Sequence, residues 1–325
     1  MRLLKEKDYH IFTQLCGLTQ SGMKKTLSAY LKSKYENVIE TPDYIVAIGD
    51  IPIALVAHMD TVFKVPARDV FYDREKNVIW SPEGLGADDR AGIFAIMTLI
   101  RKGLRPHVVF TTDEEVGAAG AIELAYEECP FKDLRFVIQL DRRGPNDCVF
   151  YDCANREFVD YIEQFGFVEA IGTFTDICLL CPEWGVAGVN LSVGYRDEHS
   201  VSEVLFVGHL LDTIAKVERI LTSDNQPRFE YVAKHGSFDK SVWYSPLLKS
   251  KADKCTCVQC KKSGDPTEFI PAKTSDLKWH YYCIDCISDK VDWCQCCGEA
   301  YELPSEGHLM KLCEDCFYDF YYSKY

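Results

Sequence analysis

Short apolar runs alternate with amphipathic segments along most of the chain. Runs of about four to eight apolar residues are typical of strands buried in a parallel sheet, and helical spacing of apolar residues predicts helices. The runs lie at 44–48, 53–57, 77–81, 107–110, 135–140, 148–151 and 186–193, and the helical patterns at 9–35, 93–100, 118–129, 156–165 and 205–221. This order predicts an α/β fold with a mostly parallel, mixed sheet flanked by helices.

Length and composition divide the chain into parts. Its 325 residues can form one large domain and a small one. The predicted parts are a large domain over 1–222, a connecting segment over 223–253 that mixes Pro, Ser, Lys and aromatic residues, and a Cys-rich module over 254–325.

Charge and hydropathy exclude several classes of function. The net charge of −14 argues against nucleic acid as the main partner. No apolar run reaches the roughly 18 to 20 residues that span a bilayer, and the N-terminus has no apolar signal core. Six of the 16 cysteines are scattered before residue 254, which is typical of buried thiols in a reducing compartment. We therefore expect a cytoplasmic protein that does not bind membranes.

Polar residues follow the predicted strands at the places where α/β sheets hold their ligands. Each alone has an ordinary interpretation, such as a solvated acidic turn, a helix cap or a hydrogen-bonded histidine. Asp60 lies on the same face of its strand as His58 and is a candidate to fix the tautomer of that imidazole. Together, imidazole and carboxylate groups suit zinc, and two zinc ions about 3.5–4 Å apart are typical of co-catalytic hydrolases. The candidates are His58, Asp88, Glu114, Glu115, Asp141 and His199.

Three motifs resemble the di-zinc exopeptidase superfamily, which includes tripeptidases, aminoacylases, carboxypeptidases and aminopeptidases. They are His-Met-Asp-Thr-Val at 58–62, Gly-Ala-Asp-Asp-Arg-Ala-Gly-Ile at 86–93 and Thr-Asp-Glu-Glu-Val-Gly at 112–117. The segment Arg-Asp-Glu-His-Ser at 196–200, followed by Glu203 and Val204, is similar to the glutamyl-aminopeptidase-like branch. The resemblance covers residues 7–222 and implies a zinc exopeptidase-like fold.

The resemblance also implies a role for each candidate. His58 and Asp141 would hold one zinc ion, Glu115 and His199 the other, and Asp88 would bridge both. Glu114 would be the general base and Asp60 would orient His58. Thr175 and Asp176 would contact the substrate or a ligand, or form a structural turn.

The chain departs from many members of this superfamily in one respect. The segments from His58 to Asp88 and from Asp141 to His199 are too short to hold the inserted lid domain that helps to bind a substrate carboxylate. We therefore expect an aminopeptidase-like exopeptidase that cleaves an amide bond of a peptide or an N-acyl amino acid, with a water bridged by two metals. The alternatives are an N-deacylase, a carboxypeptidase or tripeptidase-type amidohydrolase, and a non-catalytic binding protein.

The C-terminal module contains four Cys-x-x-Cys pairs, a strong signal for structural zinc. Eight thiolates predict two more zinc ions, with Cys255, Cys296 and His280 as spare ligands. A zinc ion could be shared by successive pairs, the first with the second and the third with the fourth, or the pairs could be crossed as in RING-like folds. The many aromatic residues could form a small core around zinc or a surface that docks a protein partner. The paired cysteines are Cys257, Cys260, Cys283, Cys286, Cys294, Cys297, Cys313 and Cys316.

Overall fold

Two compact units, Met1–Lys234 and His235–Tyr325, divide the chain, and each is described by itself. The computed structural model describes residues 2–232 of the first unit, and 255–264, 269–273, 279–283, 286, 291–293 and 300–302 of the second. Within these ranges no helix is long and apolar enough to cross a membrane.

The first unit consists of alternating helices and strands. The helices are α1 (Glu6–Cys16), α2 (Gln20–Lys32), α3 (Ala87–Arg101), α4 (Ala119–Tyr126), α5 (Arg156–Glu163), α6 (Ile177–Trp184) and α7 (Val207–Leu221). The strands are β1 (Asn37–Glu40), β2 (Tyr44–Ile48), β3 (Ile51–His58), β4 (Phe71–Asp73), β5 (Val78–Trp80), β6 (Pro106–Thr111), β7 (Phe136–Arg142), β8 (Asp147–Val149), β9 (Val168–Glu169), β10 (Gly188–Ser192), β11 (Tyr195–Arg196) and β12 (Val204–Phe206).

An eight-stranded sheet in the order β1-β2-β6-β3-β7-β10-β8-β9 forms the centre of this unit. Its middle strands, β6, β3, β7 and β10, are parallel to one another, whereas β1, β2 and β8 run antiparallel to their inner neighbours. The α/β fold class with a mostly parallel, mixed sheet is therefore confirmed. A small second sheet has the order β11-β12-β5-β4.

Helices cover both faces of the large sheet. On one face, covered by α3, the core includes alternate residues of β3, namely Ile53, Leu55 and Ala57. Helices α1 and α7 pack against α3. On the other face, α4 and α6 pack together against β2, β6, β7 and β10. Because both faces are covered, the middle strands are apolar along nearly their whole length.

The residues predicted to be helical, from Tyr9 to Tyr35, form two helices, α1 and α2, with a break between them. Gly17 ends α1, and the side chain of Thr19 caps α2 by accepting a hydrogen bond from the N–H of Gly22 at 3.2 Å. The apolar spacing continues across this break, so periodicity alone did not reveal it.

The first unit extends beyond the predicted domain end at residue 222. Phe229 stacks near Phe158 and Tyr161, with ring centroids 4.9 and 5.1 Å apart. The backbone N–H of Ala187 donates to the carbonyl of Phe229 at 2.9 Å. Residues 223–232, predicted to be connecting, therefore complete the core beside α5, while 233–253 lie outside the described residues.

The described part of the second unit contains short strands. Strands β13 (Cys255–Thr256) and β14 (Ser263–Gly264) form a hairpin. A four-stranded sheet has the order β16-β15-β18-β17, from β15 (Phe269–Lys273), β16 (Trp279–Cys283), β17 (Val291–Trp293) and β18 (Ala300–Glu302). Phe269, Tyr282 and Val291 are buried in its small core together with Cys257 and Cys283.

Gly92 makes a close contact that tests the packing of α3 on the sheet. A Cβ at this position would lie 2.0 Å from the carbonyl oxygen of Leu140 in β7 and 2.4 Å from a carboxylate oxygen of Asp89. We expect Gly92→Ala to lower the free energy of unfolding by about 1–3 kcal/mol or more, because the backbone of β7 cannot move away cheaply. Urea unfolding measures this change.

Gly208 provides the matched control for this substitution. It also lies in a helix, α7, but its added Cβ would meet only the side-chain nitrogen of Asn77 at an ordinary 3.5 Å. Gly208→Ala should be neutral or stabilising by up to about 1 kcal/mol, since alanine favours helix more than glycine does. Equal loss of stability in both variants would contradict the close contact at Gly92.

Candidate metal centre

The predicted ligands converge at the carboxyl ends of the parallel strands, although they are far apart in sequence. His58 is the last residue of β3, and Asp141 is near the end of β7. Glu115 follows β6, Asp88 lies in the first turn of α3, and His199 follows β11. Ligand binding at this edge is the general behaviour of open α/β sheets.

The first group of ligand atoms belongs to His58 and Asp88, which are buried, and to Asp141, which is partly buried. The Nε2 atom of His58 lies 3.0 Å from Oδ1 of Asp88 and 3.5 Å from Oδ1 of Asp141. All ligand atoms of this group lie within 4.8 Å of one another, which is close enough for one ion to contact all three.

The second group consists of Asp88, Glu115 and His199. The Nε2 atom of His199 lies 2.9 Å from Oε2 of Glu115 and 3.3 Å from Oδ2 of Asp88. Asp88 thus contacts one histidine with each of its two carboxylate oxygens. Asp88 is therefore the one residue that belongs to both of these groups.

The residues of both groups fit zinc. Each group offers one imidazole nitrogen and carboxylate oxygens, a donor set that zinc accepts. The second carboxylate oxygen of Glu115, Oε1, is buried without a hydrogen-bond partner among the described residues. A buried carboxylate oxygen without a donor is costly unless a cation faces it.

Asp60 connects the ligand His58 to the loop after β6. Its Oδ1 atom lies 3.2 Å from Nδ1 of His58 and accepts a hydrogen bond from the N–H of Glu114 at 3.0 Å. Its Oδ2 atom accepts from the N–H of Glu115, also at 3.0 Å. One buried carboxylate therefore orients both the imidazole and the two glutamates. We call residues 113–117 the catalytic loop.

Hydrogen bonds also fix the direction of Asp141. Its Oδ2 atom accepts from the hydroxyl of Thr175 at 3.0 Å and from the side-chain amide of Gln139 at 3.1 Å. The hydroxyl of Tyr195 donates to Oδ1 at 3.1 Å. Thr175 thus contacts a predicted ligand, one of the alternatives open from the sequence. Burial, followed by the charge of Asp88, raises the pKa of Asp141 to about 6.

Asp176, the neighbour of Thr175, is fully buried and occupies the N-cap position, directly before the first residue of α6. Its Oδ2 atom accepts a hydrogen bond from the hydroxyl of Thr111 at 2.6 Å, while Oδ1 has no partner among the described residues. Burial raises the pKa of Asp176 to about 7.

Glu114 has the electrostatic character of a general base. Burial raises the pKa of Glu114 well above the ordinary value of a glutamate, and the charge of His58 opposes this by lowering the pKa. The negative charges of Asp141, Asp176 and Glu115 raise the pKa further. A raised pKa brings a carboxylate closer to the range in which it can both take and return a proton near neutral pH. Glu114 belongs to neither ligand group.

Three buried charged residues bind the backbone of the segments that carry the candidate ligands. The sequence did not identify these contacts. Asp89 accepts hydrogen bonds from the N–H of His58 at 3.3 Å and of Gly92 at 2.9 Å. Glu203 accepts from the N–H groups of Ala87 and Asp88 at the start of α3, at 3.1 and 3.0 Å. Both lie in quoted motifs, but only the fold shows what they contact.

Arg90 is the third of these residues. Its guanidinium group donates to the backbone carbonyls of Leu18, Met59 and Asp60, and the side chain is buried. It therefore joins the turn between α1 and α2 to the strand end that carries His58.

A third candidate group lies in the second unit and consists of four cysteines. The Sγ atoms of Cys257, Cys260, Cys283 and Cys286 all lie within 4.8 Å of one another. The spare ligand His280 does not belong to this group. The spare ligand Cys296 and the other predicted pairs, Cys294, Cys297, Cys313 and Cys316, lie outside the described residues.

Comparisons with known proteins agree with this geometry. Residues 45–164 match the family described as Peptidase family M28. These residues include His58, Asp88, Glu114, Glu115 and Asp141, whereas His199 lies beyond them. None of the curated proteins matches the chain.

Solved structures share the fold of the first unit. An aminopeptidase PepT from Bacillus cereus is 15% identical with a TM-score of 0.53, and the match covers 67% of this chain and 98% of that one. A tripeptidase from Staphylococcus aureus is 14% identical, with a TM-score of 0.56 and the same coverage. An aminopeptidase from the archaeon Desulfurococcus kamchatkensis is 15% identical, with a TM-score of 0.53 and coverage of 68% and 96%. The first unit thus shares the fold of these aminopeptidase and tripeptidase structures, and the partial family match supports a metallopeptidase.

Zinc binding to the second group should release a proton. Hydrogen bonds with Asp88 and Glu115 raise the pKa of His199 to about 11, so its imidazole is protonated at neutral pH without metal. Zinc needs the neutral imidazole, so its affinity should rise with pH, by about tenfold per pH unit for each proton released. Calorimetric titration with zinc between pH 6 and 8, in buffers of different ionisation enthalpy, measures the released protons.

The difference between wild type and His199→Asn isolates this proton from those released by the cysteines. His10→Ala, at an exposed histidine of α1, is the control and should bind zinc like wild type. The folding stability of the zinc-free protein should change with pH in the opposite direction to the zinc affinity. The protonated His199 contributes stability that is complete below about pH 6.5 and is lost as pH rises towards its raised pKa. Equal proton release from wild type and His199→Asn would contradict this prediction.

Proposed function

We propose that this chain is a zinc-dependent exopeptidase of the aminopeptidase type, with two co-catalytic zinc ions. The observation that carries the proposal is Asp88, which contacts both histidines from two adjoining ligand groups, next to a partly buried glutamate, Glu114, that belongs to neither group. The partial family match and the peptidase structures that share the fold support the same reaction class.

His58, Asp88 and Asp141 would hold one ion, and Asp88, Glu115 and His199 the other. Bound zinc would supply a Lewis acid that polarises the scissile carbonyl and lowers the pKa of water. Glu114 takes a proton from the attacking water and returns it to the leaving amine. Asp60 keeps this base in register with the ligands, because it binds the backbone of Glu114 and the ring of His58 together.

The absence of a lid favours cleavage at the amino terminus. In residues 2–232, the chain between His58 and Asp88 forms only β4 and β5 of the small sheet. Between Asp141 and His199 it forms β8 to β11 with α5 and α6, which belong to the same unit. No inserted domain is present there to bind a substrate carboxylate, so we propose that the substrates are peptides with a free amino terminus.

Glu114→Gln tests the mechanism. The amide cannot accept the proton, so we expect hydrolysis to fall by a factor of about 10²–10⁴, since that is the usual contribution of a general base. The zinc content should not change, because Glu114 is in neither ligand group. Peptide hydrolysis and metal analysis measure the two quantities, with Glu123→Gln on the exposed face of α4 as the control.

The choice of substrates separates the alternatives. Peptides with a free amine should be cleaved whether or not their carboxyl end is amidated, and N-acetylated peptides should not. Cleavage of the N-acetylated peptides alone would indicate a deacylase, and dependence on a free carboxylate would indicate a carboxypeptidase or tripeptidase. If the zinc-loaded protein cleaves nothing in a broad panel, the non-catalytic alternative replaces this proposal.

We further propose that the second unit is a structural zinc module in which the first Cys-x-x-Cys pair combines with the second. The Sγ atoms of Cys260 and Cys283 lie 3.6 Å apart. Although burial opposes it, backbone N–H groups of Cys260, Cys283 and Gln259 lower the pKa of Cys257 to about 6. Thiolates are the form that binds zinc, and four of them make a closed tetrahedral site.

The six cysteines of the first unit are free thiols. This supports our proposal of a reducing compartment, the cytoplasm, where zinc modules of this kind are stable. That a further zinc ion binds the cysteines after residue 293, and that the module docks a protein partner, remain proposals from the sequence.

Cys283→Ser should remove one zinc ion per chain and loosen the second unit, because metal binding supplies much of the folding energy of small modules. Cys129→Ser, at a free cysteine of the first unit, should keep the full zinc content. Metal analysis of the two purified variants measures this difference. An unchanged zinc content in Cys283→Ser would exclude the four-cysteine site.

A further inference from the structure

The turn between α1 and α2 contacts the residue that precedes the proposed base. Gln20, the first residue of α2, uses both ends of its amide on Asp113. Its Nε2 atom donates to Oδ1 of Asp113 at 2.8 Å, and its Oε1 atom accepts from the N–H of Asp113 at 3.0 Å. A paired contact of this kind fixes orientation as well as distance.

Gln20 is itself held in place from two sides. Thr19 caps the first turn of α2, which fixes the start of the helix. The buried guanidinium of Arg90 donates to the carbonyl of Leu18 at 3.0 Å and to that of Met59 at 3.0 Å. The turn is therefore fastened to the segment that carries His58, and Gln20 extends from a fixed support.

The backbone at Asp113 needs such a contact. Asp113 has a φ of 55°, in the left-handed region that residues other than glycine adopt only at a cost. The next two residues, Glu114 and Glu115, are held by Asp60 through their N–H groups. Gln20 thus fixes the start of the catalytic loop, and Asp60 fixes its middle.

Close packing does not hold the catalytic loop on this side. A cavity of about 270 Å³ lies between the turn and the loop, and its lining includes Leu18, Gln20, Phe63, Asp113 and Val116. The side chain of Val116 is 77% exposed. Where side chains do not interlock, directed hydrogen bonds must fix the backbone.

We propose that Gln20 is a positioning residue, which acts through Asp113 to fix the direction of Glu114. The proposal rests on the proposed function, because it assigns Gln20 to the same reaction. It concerns the placement of the base and neither zinc binding nor the overall fold, so Gln20 variants should keep their zinc content and their unfolding midpoint.

Four variants test this role. Gln20→Ala removes the contact, and Gln20→Glu places two carboxylates against each other. Asp113→Asn alone should keep the pairing and serves as a control, because its amide oxygen can still accept from the side-chain amide of Gln20. The double variant Gln20→Glu/Asp113→Asn restores it with exchanged donors, since the new amide donates to the new carboxylate and the N–H of residue 113 keeps its acceptor.

We expect kcat to fall about tenfold in Gln20→Ala and further in Gln20→Glu, with KM nearly unchanged, because small displacements of a catalytic group cost rate more than binding. The double variant should recover most of the activity. Gln14→Ala, at an exposed glutamine of α1, should behave like wild type. Unchanged kcat in Gln20→Ala, or no recovery in the double variant, would overturn the proposal.

Hydrogen exchange provides a readout that does not depend on activity. The backbone amides of residues 113–115 should exchange faster in Gln20→Ala than in wild type or Gln14→Ala, and the double variant should restore their protection. If wild type cleaves no peptide, the proposed function fails, but this exchange pattern still tests the contact. Unchanged exchange in Gln20→Ala would show that Gln20 does not hold the loop.

Discussion

Burial of several carboxylates around His58 is the constraint on which the rest of this structure depends. Removing a carboxylate from water is costly unless cations or hydrogen-bond donors replace the lost solvation. Six carboxylates of the site, each buried or partly buried, divide into two sets accordingly. Asp60, Asp89 and Glu203 accept hydrogen bonds from backbone N–H groups, and so fix the loops. Asp88, Glu115 and Asp141 face the histidines, where a cation can bind.

The sheet could be predicted from the sequence because its middle strands are covered on both faces. Continuous apolar runs indicated β2, β3, β6 and β7. Their alternation with helices predicted a mostly parallel sheet, whose strands carry the ligand residues at their carboxyl ends. Strands β11 and β12, of two and three residues, carry too little pattern to be recognised. The break at Gly17–Thr19 was hidden for a different reason, because the apolar spacing of α1 continues into α2.

That the candidate ligands lie together was also predictable, because each follows an apolar strand or opens a helix, and all except Asp141 lie in a quoted motif. The supporting contacts were not. Three of these contacts join residues more than 70 positions apart in the sequence. They are those of Arg90 with Leu18, of Glu203 with Ala87 and of Gln20 with Asp113. A backbone carbonyl or N–H leaves no trace in the residue type, so no sequence pattern can report such a partner. Only the packing of α3 and the α1–α2 turn onto the sheet brings them together.

Contacts inside the first unit order the centre, as far as residues 2–232 describe it. Within residues 2–232 no inserted domain covers the site, and the side chain of His199 is 53% exposed. Within these residues one carboxylate, Asp60, contacts both the ring of His58 and the backbone N–H of Glu114, and so relates their positions. Since Asp60 holds only the middle of the catalytic loop, a second contact is needed to define its direction, and among the described contacts Gln20 provides one. In the proposed mechanism, the turn between α1 and α2 thereby helps to place the base, although it lies outside the sheet that carries the ligand groups.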